Sequence, residues 1–62
     1  MESVTLLITV IIADDHEVTR LGLRGLLQVA PDIELVGEAA DGDAAQQLIS
    51  QLQPHVAVYW IW

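Results

Sequence analysis

Leu6-Leu7-Ile8-Thr9-Val10-Ile11-Ile12-Ala13, followed at once by Asp14-Asp15-His16-Glu17, is the stretch that decides the fold. An apolar run of this length, rich in Ile and Val and ended by charge, reads as a strand buried on both faces. Such strands belong to parallel sheets, which place their chemistry at the carboxyl ends of the strands. Two adjacent carboxylates there are candidate ligands for a hard cation, or for a phosphoryl group bridged by one.

Working outward, the first strand is expected from Thr5 to Ala13. Asp14 or Asp15 can accept hydrogen bonds from the free amides of a first helical turn and start a helix over Glu17–Val29. Glu17, Arg20, Arg24 and Gln28 recur at helical spacing as a narrow polar face. Val18, Leu21, Gly22, Gly25, Leu26 and Val29 form the opposite stripe, expected to pack on the sheet. Leu23 and Leu27 widen that stripe, and Gly22 and Gly25 suggest close approach of helix to sheet. Ala30-Pro31-Asp32 stops the chain and turns it. Ile33–Ala39 alternates apolar and polar for part of its length, as a half-exposed edge strand does. Asp41-Gly42-Asp43 is a turn and cap before a second helix over Asp43–Leu52, where Ala45, Leu48, Ile49 and Leu52 fall at i, i+3, i+4 and i+7. Pro54 closes it, and His55–Trp62 is a third, almost wholly apolar strand. The order is β-α-β-α-β, which argues an α/β fold with a parallel sheet and right-handed crossovers.

The chain has 62 residues, so it holds a single domain at most, here residues 1–62. A chain this short buries only about 60% of its unfolded surface and usually needs a staple or a partner. It has no Cys, yet it is 53% hydrophobic, which points to self-association. The net charge is −7, with Arg20 and Arg24 the only Lys or Arg. Phosphate contacts need a basic face, so nucleic-acid binding and anionic membrane surfaces are not expected. No apolar run reaches the roughly 20 residues that span a bilayer. Met1-Glu2-Ser3 is acidic, unlike the start of a signal peptide. The expected location is cytoplasmic.

Ile11-Ile12-Ala13-Asp14-Asp15-His16-Glu17-Val18-Thr19-Arg20-Leu21-Gly22-Leu23 resembles the start of a response-regulator receiver domain, in the subgroup attached to LuxR/NarL-type DNA-binding domains. Pro31-Asp32-Ile33-Glu34-Leu35-Val36-Gly37-Glu38-Ala39-Ala40-Asp41-Gly42 continues the match, and Gln53-Pro54-His55-Val56 fits the lead-in to the third strand. The resemblance covers residues 7 to 58 and joins three separated motifs in order. It implies a flavodoxin-like, doubly wound parallel sheet, of which this chain would be the β-α-β-α-β half. It further implies a two-component signalling domain in which an acidic pair after the first strand, matched by Asp14 and Asp15, binds magnesium. A phosphoryl-accepting Asp would end the third strand, and that position falls on Trp60. Trp has no carboxylate to form an acyl phosphate. The family's Thr/Ser, its Lys and its last two strand-helix units have no counterpart here. His55 stands where the family often has Asp.

Several readings follow. Asp14 and Asp15 hold at most a weak, vestigial magnesium ion, or they merely cap a helix and solvate a loop. No other cofactor is expected. His16 and His55 read as solvated residues before they read as ligands. Glu17, Arg20 and Arg24 read as an exposed face with modest ion pairs. Trp60 and Trp62 would share one face of the third strand. That strand lacks the neighbour it has in a complete receiver, so Val58, Tyr59, Trp60, Ile61 and Trp62 form the expected interface of a homodimer or higher oligomer. The aromatic end suggests design, selection or an altered reading frame. The primary expectation is therefore an engineered or de novo, non-enzymatic, self-associating fragment with no partner but itself. The alternative is a truncated phosphoryl-accepting receiver domain of a two-component transcriptional response regulator. A flavin or nucleotide binder is weak, because no Gly-rich phosphate loop follows the first strand.

Overall fold

The structure is a computed structural model and describes residues 7–59. Strands β1 (Ile8–Ala13), β2 (Ile33–Ala39) and β3 (Val56–Tyr59) alternate with helices α1 (Glu17–Gln28) and α2 (Gly42–Leu52). The sheet order is β2-β1-β3, and both pairings are parallel. The chain steps from β1 to one side and then returns past β1 to the other. With right-handed crossovers, that reversal puts α1 and α2 on opposite faces of the sheet. The α/β architecture is thus observed, in an arrangement compatible with one half of a doubly wound sheet.

β1 is central because it is the most apolar strand, and its last four residues are buried. Ile11 and Ile12 are fully buried. Ile11 and Ala13 pack with Ala39 and Ala45, and Val36, Ala44, Leu48, Ile49 and Ala57 surround them, so this is the α2 face. Alternation places Val10 and Ile12 on the α1 face. β2 carries a bulge. Val10 pairs with Leu35, but Ile11 pairs with Gly37, leaving Val36 extra. Gly37 lies directly beneath α2: a Cβ there would come within 3.2 Å of a methyl of both Leu48 and Leu52.

α2 forms as expected, one residue earlier. Asp41 Oδ1 accepts a hydrogen bond from the Ala44 amide at 2.8 Å, closing the first turn. At the other end Gln53 takes a left-handed conformation (φ 48°), its amide donates to the Ile49 carbonyl, and Pro54 prevents continuation. The turn before β2 closes through the Ile33 amide to the Ala30 carbonyl. His55 precedes β3 and is not idle. The Thr9 amide donates to its Nδ1 at 2.9 Å, and its own amide donates to the Thr9 carbonyl. The imidazole thereby ties the start of β3 to β1.

Two expectations about α1 are corrected. The stripe Val18, Leu21, Leu26 and Val29 faces outward, with exposures from 59% to 82%. The half-buried side instead holds Thr19, Arg20, Leu23 and Leu27. Gly22 and Gly25 are not close-packing positions, since a Cβ on either would meet nothing within 4 Å. Leu23 and Leu27 are the apolar residues on that side, and an ion pair accompanies this rotation. Arg24 grips Glu38 of β2 with two hydrogen bonds, at 2.8 and 3.2 Å. Arg20 stands 3.9 Å from the same carboxylate. The polar face therefore bridges to the sheet edge instead of lying free in solvent. Glu38, by hydrogen bond and then by charge, holds the Arg24 guanidinium above its usual pKa.

The described part of β3 is Val56–Tyr59, shorter than the His55–Trp62 strand expected. Thr5, Trp60, Ile61 and Trp62 lie outside the described residues, so only Val58 and Tyr59 of the expected interface are seen. Val58 is half-buried and Tyr59 exposed. Among the described residues no helix is long and apolar enough to cross a membrane.

Candidate cation site at the end of the first strand

In an open α/β sheet the ligand crevice lies outside the carboxyl ends of the strands, where successive crossovers diverge. Here that point lies between β1 and β3. Ala13 pairs with Tyr59, so Asp14 leaves the sheet beside the end of β3. Four interactions fix it. Its amide donates to the Ala39 carbonyl at 3.0 Å. Its carbonyl accepts from Arg20 Nη1 at 3.1 Å. Its Oδ1 accepts the His16 amide at 2.7 Å and lies 3.1 Å from His16 Nδ1.

Asp14 is fully buried. This corrects the reading in which both acids solvate a loop or cap a helix. His16, not Asp14 or Asp15, occupies the cap position of α1, and it makes no side-chain capping hydrogen bond. The other Asp14 oxygen, Oδ2, is buried with no hydrogen-bond partner among the described residues. Burying a carboxylate without compensation costs several kcal/mol, so buried charges are normally paired or coordinated. Asp15 is half exposed, and its Oδ1 lies 2.8 Å from His16 Nδ1. Ligand atoms of Asp14, Asp15 and His16 all fall within 4.8 Å of one another. A buried anionic oxygen beside an accessible one is a donor set suited to a hard divalent cation, which takes one or two carboxylates and keeps waters.

The structure brings Asp14 and Asp15 together with His16, while His55 serves the opposite end of the strands. Arg20 and Glu38 were not singled out as site residues by sequence. Arg20 reaches the site through the backbone of Asp14, a contact for which residue type carries no signal.

Known proteins are similar to this chain over most of its length. Transcriptional regulatory protein LiaR of Bacillus subtilis (strain 168) is 46% identical over 50 residues, covering 81% of this chain and 24% of LiaR. Nitrate/nitrite response regulator protein NarL of Escherichia coli (strain K12) is 41% identical over 46 residues, covering 74% of this chain and 21% of NarL. The chain resembles the N-terminal half of a response-regulator receiver domain. No family model matches the chain, and no solved structure does. The chain spans about a quarter, or less, of the relatives it matches.

These relatives favour the receiver reading over the engineered or de novo module, for which the matches offer no support. A third relative corrects the expectation of a non-enzyme. Protein-glutamate methylesterase/protein-glutamine glutaminase 4 of Geobacter metallireducens (strain ATCC 53774 / DSM 7210 / GS-15) is 43% identical over 56 residues, covering 90% of this chain and 16% of that protein. A segment like this one occurs within an enzyme, so sequence of this kind does not argue for a non-enzymatic protein.

Proposed function

We propose that this chain is the opening half of a phosphoryl-accepting receiver domain of a two-component transcriptional response regulator, and that it supplies the cation side of the phosphorylation site. The observation that carries this reading is Asp14: a fully buried carboxylate at the sheet's switch point, with one oxygen that has no partner among the described residues. Asp14 would hold a magnesium ion from within and Asp15 from the solvent side. When bound, such an ion neutralises charge on phosphoryl oxygens. His16 and Arg20 orient Asp14 through its side chain and its carbonyl. The acceptor position in this sequence is Trp60, so the chain is expected to hold the ion without forming an acyl phosphate there.

The test is a magnesium titration followed by backbone amide shifts. Shifts should cluster at residues 13–17, with affinity on the order of millimolar, the weak end of oxygen-ligand sites. Asp15→Asn should weaken binding at least tenfold. Amide shifts scattered over the surface, or unchanged by Asp15→Asn, would refute the assignment.

A second reading concerns assembly. β3 is paired only to β1 among the described residues, and Val56 and Tyr59 are 44% and 48% exposed. We infer that a second copy of the chain pairs along this edge, antiparallel about a two-fold axis. Analytical ultracentrifugation at micromolar concentration should then give twice the chain mass. A folded species of single mass at those concentrations would remove this reading and leave the first intact.

A further inference from the structure

We propose that His55 is a proton-operated latch on β3: the neutral imidazole fastens the entrance of the strand to β1, and acid releases it. The inference is independent of the cation reading, since His55 lies at the opposite end of the strands from Asp14.

The geometry assigns the ring its protonation state. His55 Nδ1 stands 2.9 Å from the Thr9 amide nitrogen. A backbone N–H only donates, so Nδ1 offers a lone pair and the single ring proton sits on Nε2. The Thr9 hydroxyl lies 3.0 Å from the same ring nitrogen and accepts the His55 amide at 3.1 Å, which leaves its own proton free to turn toward Nδ1. The His55 amide also donates to the Thr9 carbonyl at 2.9 Å. Thr9 thus meets His55 through backbone and side chain together. An imidazolium carries an N–H on both nitrogens and has no lone pair to offer. A proton on Nδ1 therefore opposes the Thr9 N–H, and the latch opens. His55 is exposed, so the proton reaches the ring and the charged ring can turn into solvent.

Few charges face this corner. β1 has none from Ile8 to Ala13, and in α2 only Asp43 ionises, in the first turn at the far end. In β3 the one titratable group is Tyr59, at the other end of the strand. Beyond β1, β2 brings Glu34, the register partner of Thr9, and Asp32, whose carbonyl takes the Ile8 amide. These acids and the carbonyl end of α2 attract a proton. Two strand spacings put Glu34 about 10 Å from His55, roughly a Debye length at 0.1 M salt, so its pull is screened. No ion pair among the described residues includes His55. The direct contact with Thr9 outweighs them. The neutral ring is the one that fits, so stability present at neutral pH is lost as pH falls through the ordinary imidazole range, about 6.5.

Nuclear magnetic resonance on the nitrogen-15-labelled chain, in about 0.1 M salt, tests this. At neutral pH the His55 Nδ1 signal should be that of an unprotonated ring nitrogen. As pH goes from about 7.5 to about 5.5, across the imidazole range, protection of the Thr9 amide from exchange should fall roughly threefold or more, as loss of one hydrogen bond implies. His55→Asn keeps an acceptor oxygen where Nδ1 stands and does not titrate in this range, so its Thr9 protection should stay constant. His55→Leu removes the acceptor and should show the low protection at both pH values. His16 titrates alike in all three chains, so the difference among them belongs to His55. A protonated Nδ1 at neutral pH, or Thr9 protection that falls equally in His55→Asn, overturns the proposal. Should His55→Leu fail to fold by circular dichroism, the unaltered chain against His55→Asn decides.

Discussion

Ile12→Ala should leave the chain largely unfolded at 25 °C. Ile12 is fully buried in the central strand, with Glu38 of β2 and Val58 of β3 as its register partners. Cutting a buried Ile to Ala removes transfer energy and leaves a cavity, at a cost of about 2–5 kcal/mol. A single core in a chain below about 70 residues rarely supplies more than 3–5 kcal/mol in total. The loss therefore matches the whole reserve. Leu26→Ala is the contrast: Leu26 is 68% exposed on α1, and surface substitutions usually stay within about 0.5 kcal/mol. Urea unfolding followed by far-UV circular dichroism checks both. An Ile12→Ala chain with an intact transition, shifted by less than about 1 kcal/mol, would mean that the core lies elsewhere.

Asp14→Asn should act in the opposite direction, raising stability in the presence of a chelator by about 1–3 kcal/mol. The substitution keeps the oxygen that accepts the His16 amide and removes a buried charge with an orphaned oxygen. Its second effect is to abolish stabilisation by divalent cations. For the unaltered chain, an ion at ten times its Kd adds about 1.4 kcal/mol by mass action. The two proteins should therefore differ most in chelator and converge as magnesium is added. Thermal unfolding with and without magnesium measures this. Destabilisation of Asp14→Asn in chelator would show that the carboxylate holds the loop by its charge, and would undercut its role as a ligand awaiting a cation. Sites that bind and react commonly carry instability of this kind.

The elements were legible in the sequence where one physical signal dominated. The unbroken apolar run of β1, the complete i, i+3, i+4, i+7 set of α2 and the Asp41-Gly42-Asp43 turn and cap each had a single reading; the structure forms all three, with β1 beginning at Ile8, so that Leu7 lies outside it, and Asp41 as the capping residue. β2 alternated over only part of its length because of its bulge. Leu35 and Gly37 share a face by alternation, yet they pair with Val10 and Ile11, which do not. One extra residue thus splits the strand between two frames, and no period-2 reading spans both.

α1 was misread because it is apolar on more than one side. The stripe through Val18, Leu21 and Leu26 holds more apolar residues, but Leu23 and Leu27 lie on the half-buried side, and Arg24 and Arg20 reach Glu38, a residue from another element. Such a pairing leaves no periodic trace. At the site, Asp14 and Asp15 were visible as an acidic pair. Their inequality, one fully buried and one half exposed, was not, since it depends on how Ala39, Arg20 and His16 close around a single carboxylate.

The meeting of both arginines on Glu38 shapes how the molecule looks from a distance. No other acid among the described residues meets an arginine. Their charge is gathered on one edge, and the field beyond is that of a small anion carrying −7. Ionic strength then governs encounters. Two copies approach each other against repulsion that salt relieves, whereas a basic partner is drawn in fastest in dilute buffer. The same protein would thus seem more sociable toward itself in brine and more sociable toward strangers in fresh water.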